Sequence, residues 1–153
     1  MENFDPSVEQ QVWQRVLAQP ERPQRDDLRG LQLSAAELAA AYRHLANTLT
    51  GRDREQAKRL YEGERANIAC LRGMRVLSGA AGEKPKTMNA SKEPAGKLLE
   101  KCYHRTRRAM AEYTARSVDG EFGEAFRKMA RREGEHCAMI AELLGNIHSS
   151  FTF

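Results

Sequence analysis

Glu133-Gly134-Glu135-His136 sets a carboxylate and an imidazole three residues apart, a spacing that puts both on one face of an α-helix. Both groups are metal ligands, and a Glu-x-x-His unit can offer them to a single ion. An imperfect copy stands upstream: Glu64-Arg65-Ala66-Asn67 keeps the carboxylate, with Asn in the place of the imidazole. Asn can still ligate through its carbonyl oxygen, more weakly than imidazole toward iron. The surroundings of the two pairs matter as much as the pairs. At the spacing of a buried helical seam, one segment reads Phe126, Met129, Glu133, His136, Ile140, Leu143, Ile147, and the other Leu60, Glu64, Asn67, Leu71, Met74. Each polar pair is therefore expected to face a hydrophobic interior, where an unpaired carboxylate costs several kcal/mol or takes up a proton. A bound cation is one remedy. An arginine such as Arg107 or Arg108 beside Glu64 is a second, and a hydrogen-bonded Glu133 and His136 pair without metal is a third.

Only helices can hold these pairs in register, and the sequence supplies them. A short amphipathic helix is expected at Val8, Val12, Trp13, Val16 and Leu17, ended by Pro20 and Pro23, with a polar connector from Pro20 to Gly30. A long helix then starts at Ser34, capped by its hydroxyl and by Glu37 three residues on, and carries the stripe Leu38, Ala41, Tyr42, Leu45, Leu49. After a turn at Thr50-Gly51, a second long helix runs from about Asp53 to Ser78 and stops at Gly79. Residues 79–93 have no periodic stripe and read as a long crossover. Pro94 suits the first turn of a third helix that ends near Ser117, and Asp119-Gly120 breaks it. A fourth runs from about Glu121 to Leu144, with Gly145 as its stop.

Two helical hairpins joined by one long connection predict an all-α four-helix bundle over residues 31–147, with 1–30 as short helix and connector and 148–153 as a tail. A chain of 153 residues is one domain's worth and can bury a core without disulfides. Its three cysteines, Cys70, Cys102 and Cys137, are an odd number and read as reduced thiols in a cytoplasmic protein, most simply as small core hydrophobes. The N-terminus is polar and acidic rather than signal-like, and no apolar run approaches a membrane span. Net charge is +4, with both signs interspersed, which argues against a nucleic-acid footprint. The basic residues Lys97, Lys101, Arg105, Arg107, Arg108 and Arg116 are spread around the third helix, as on a solvated face.

On the segment from Tyr42 to Leu45, the Glu64 unit, Tyr113, and the run Ala130-Arg131-Arg132-Glu133-Gly134-Glu135-His136-Cys137, the chain resembles the rubrerythrin-like branch of the ferritin-like superfamily. The resemblance spans about Leu31 to Gly145, and only its last motif is specific. It implies an iron-binding protein acting on peroxide, oxygen or ferrous iron, as a dimer or larger homo-oligomer. With no Cys-x-x-Cys pair in the sequence, electrons would come from a separate donor protein.

The departures bear on the same site. The two helices that should each add an inward Glu two turns before Tyr42 and Tyr113 carry Ala35 and Thr106 there. Glu37 and Glu100 are the nearest substitutes, each displaced around its helix. The expected ligand set is therefore Glu64, Glu133 and His136, with Glu37, Glu100 and Asn67 as additions, and the alternative is a metal-free bundle with a structural or interaction role. Glu37 also reads as no more than a capping residue, and Tyr42, Tyr103 and Tyr113 as core aromatics.

Overall fold

The computed structural model describes residues 23–79, 92–118 and 120–150. They form four helices: α1 Pro23–Thr48, α2 Gly51–Leu77, α3 Ala95–Arg116 and α4 Gly123–Ser150. There are no strands among the described residues. The expected short helix around Trp13 lies outside them.

The same seam spacing that singles out the polar pairs runs through all four helices. On α1 the buried stripe Leu28, Leu31, Ala35, Leu38, Tyr42 and Leu45 alternates by three and four, with Gln32, Ala39 and Ala46 buried beside it. This stripe corrects the expected start at Ser34. Leu28 and Leu31 continue it upstream, so the helix begins at Pro23, a residue tolerated in a first turn. Ser34 and Glu37 are then mid-helix and form no capping box. Likewise α4 passes through Gly145 instead of stopping there, and its last turns are held by Leu143, fully buried, and Ile147, packed against the same core. The other boundaries lie where turn chemistry puts them. Gly51, Gly79 and Gly120 all have positive φ, at 60°, 79° and 98°, a conformation glycine adopts without strain.

Helices α1 and α2 pack as one hairpin and α3 and α4 as another, with α1 against α3 and α2 against α4 closing the bundle. Two apolar clusters fill it. One joins the C-terminal halves of α1 and α4 to the N-terminal halves of α2 and α3, around Leu45, Leu60, Leu99 and Leu143. The other joins the opposite halves, around Leu31, Leu71, Tyr113 and Met129. Every neighbouring pair is thus antiparallel. Helix α2 ends at the second cluster, and α3 begins at the first. No helix among the described residues is long and apolar enough to cross a membrane.

Candidate metal centre

Between the two apolar clusters lies a polar layer, with Glu64 and Asn67 from α2, Thr106 from α3, and Glu133 and His136 from α4, all buried. The seam reading places both Glu-x-x units correctly: each sits where a hydrophobe would otherwise stand. His136 Nδ1 is 3.4 Å from Glu64 Oε2 and 3.8 Å from Glu133 Oε2. Each of the three residues offers a ligand atom within 4.8 Å of the others. This buried Glu64, Glu133 and His136 group could hold a metal ion.

Hydrogen bonding tests that fit. Asn67 Nδ2 donates to Glu133 Oε1 at 2.5 Å, and Arg132 Nη1 donates to Asn67 Oδ1 at 2.5 Å. The remaining acceptors are both oxygens of Glu64, Oε2 of Glu133 and Nδ1 of His136, and none of the four has a protein partner. Buried acceptors are almost always satisfied. With one atom from each of the three residues lying within 4.8 Å of the others, a cation is one way to complete the arrangement, and a shared proton is another.

The electrostatics agree. Burial pushes the Glu64 carboxyl above the usual carboxylate range, opposed by Glu133 and by the Arg132 charge. Burial pushes Glu133 up further, reinforced by the Glu64 charge beside it. Burial lowers His136, which favours the neutral imidazole that ligates metals. Without a cation, a proton kept on Glu133 and donated to Glu64 is what the residues themselves can supply.

Tyr42 and Thr106 close the layer on the α1 and α3 side. The phenol and hydroxyl oxygens are 2.8 Å apart, and the Tyr42 ring meets His136 edge-on with centroids 5.9 Å apart. Ala35 is fully buried within the neighbouring apolar cluster, so neither inward position on these helices carries a carboxylate.

The other sequence candidates part from the site. Glu37 is partly exposed and pairs with Arg105 across α1 and α3 at 3.0 Å. Glu100 is exposed at the end of the bundle near Leu49 and Ile147. Asn67 is in the layer, yet both ends of its amide are engaged, which makes it a bridge between Arg132 and Glu133. Neither Arg107 nor Arg108 reaches Glu64; both are exposed on α3, with Arg107 over the Tyr103 ring at 5.9 Å. The nearby cation is Arg132, on α4 itself.

Two features escaped the sequence reading. Gly63 lies against the His136 imidazole, and a Cβ there would overlap Nε2 and Cε1. A glycine in mid-helix, costly in helix propensity, is a weak sign of such an approach, since Gly30, Gly73 and Gly145 also stand within helices and a Cβ there would meet nothing within 4 Å. The second is a buried amide, Gln32, which accepts from Arg75 Nη1 at 2.7 Å and ties α1 to α2 beyond the layer.

No family model matches this sequence, and no curated protein and no solved structure matches it.

Proposed function

We propose that the chain is a ferritin-like bundle protein that binds a divalent metal ion, iron foremost, through Glu64, Glu133 and His136. The observation that carries this reading is the buried Glu64, Glu133 and His136 cluster, whose ligand atoms lie within 4.8 Å of one another and include carboxylate oxygens and an imidazole nitrogen without a hydrogen-bond partner. Glu64 and Glu133 supply anionic oxygens and His136 a neutral nitrogen, a donor set suited to iron, manganese or zinc. Iron held there would supply redox chemistry of the kind that oxidises ferrous iron or reduces peroxide or oxygen, with electrons from a separate donor. The residues do the rest: the apolar clusters on either side keep bulk water from the layer, and Gly63 and Tyr42 fix the imidazole plane.

A second reading rests on Ala35 and Thr106, the inward positions without carboxylates. Here the bundle holds no metal, Glu133 keeps its proton, and the fold serves a structural or interaction role. Metal analysis of chain purified without chelators after iron supplementation separates the two. Near-stoichiometric metal supports the first reading, and less than about a tenth of an equivalent of iron, manganese or zinc per chain contradicts it.

A further inference from the structure

The bridge from Arg132 through Asn67 to Glu133 has no role in ligation, yet it decides how Glu133 can ligate. Its Oε1 is taken by the Asn67 amide, and Oε2 alone is left facing Glu64 and His136. The amide cannot turn over, because its Oδ1 is held by Arg132 Nη1. Through the same bond Arg132 places a positive charge beside the layer. On the far side, Tyr42 and Thr106 satisfy each other and contribute no charge. The layer thus holds two carboxylates and one partly buried guanidinium, a formal charge of about −1 that accommodates one divalent ion far better than two.

Resting on the metal-binding reading above, we propose that Asn67 and Arg132 are positioning residues that make Glu133 a one-oxygen ligand and restrict the site to one divalent ion. Asn67 occupies the place where the matching Glu-x-x-His unit would have a second imidazole. Its amide and the Arg132 guanidinium stand where a second ion's ligand and charge would be needed. Side chains that orient a metal ligand without touching the metal commonly change affinity by about 10- to 100-fold when removed.

Cobalt(II) titration of the full chain, stripped with chelator and dialysed, tests this by calorimetry and visible absorption together. The wild-type chain should take one equivalent. Asn67→Ala should also take one, roughly 10- to 100-fold more weakly, with an altered cobalt spectrum as the second oxygen of Glu133 is released. Arg132→Gln should shift the spectrum in the same sense, and Arg132→Lys should restore part of the loss; these variants decide the matter if Asn67→Ala does not fold. Two equivalents in wild type, or unchanged affinity and spectrum in a folded Asn67→Ala and in Arg132→Gln, overturns this proposal and leaves metal binding standing. No binding to wild type overturns both.

Discussion

The His136 imidazole of α4 lies directly against Gly63 of α2, and any side chain at residue 63 would occupy the space of its Nε2 edge. In an exposed mid-helix position, Gly→Ala ordinarily stabilises by about 1 kcal/mol. Here Gly63→Ala should do the opposite, destabilising by roughly 1–3 kcal/mol as the ring or α2 is forced aside. Thermal unfolding reads the stability, and metal affinity, reduced in the same variant, shows that the ring has moved.

Replacing Glu133 with Gln removes a charge but keeps the geometry. The Gln carbonyl can still accept from Asn67, while its amide can donate to Glu64 without the cost of holding the proton that Glu133 must keep to do so. In metal-free protein Glu133→Gln should therefore raise the melting temperature at pH 8, by an increment equivalent to roughly 1–3 kcal/mol. It should also abolish metal uptake. A scan with and without added zinc shows both effects: zinc should raise the midpoint of wild type and leave that of the variant where it is.

Metal-free stability should fall with rising pH. Burial raises both carboxyls, Glu64 to about 7 and Glu133 to about 9. Above the ordinary carboxylate value of 4.5, the unfolded chain has released protons that the native chain still holds, so raising the pH favours unfolding until the native groups ionise. His136 acts the other way: burial lowers it from 6.5, so the unfolded chain gains a proton first as pH falls below that value. The carboxyls therefore dominate between about pH 6.5 and 9, where urea midpoints should decline by the equivalent of roughly 2–3 kcal/mol. Glu133→Gln should flatten that decline.

Tyr42→Phe tests whether the phenol is structural. It leaves the Thr106 hydroxyl without its partner in a buried layer, which should cost about 1–2 kcal/mol. Metal stoichiometry should not change, since Tyr42 is not among the residues that offer a ligand atom.

What was legible in the sequence follows from which forces act locally. Glu64, Glu133 and His136 could be placed because a polar residue on an apolar seam stands out by spacing alone. The bundle's hairpins could be placed for the same reason, and Gly79 and Pro94 marked ends that depend on backbone chemistry. The start of α1 could not, because Ser34 and Glu37 match a capping signature while Leu28 and Leu31, buried against other helices, extend the helix past it. Gly145 misled in the same way, since packing of Ile147 carries α4 onward. Asn67 was visible in position but not in role. Its partner Arg132 sits off the seam, and a hydrogen bond that long-range folding brings together leaves no periodic trace.

Anomalous diffraction from crystals grown with zinc or iron measures the central claim most directly. A peak about 2.0–2.2 Å from His136 Nδ1 and from oxygens of Glu64 and Glu133 is the result predicted here. Ordered side chains with no peak between them, or metal bound only at surface carboxylates, would contradict it.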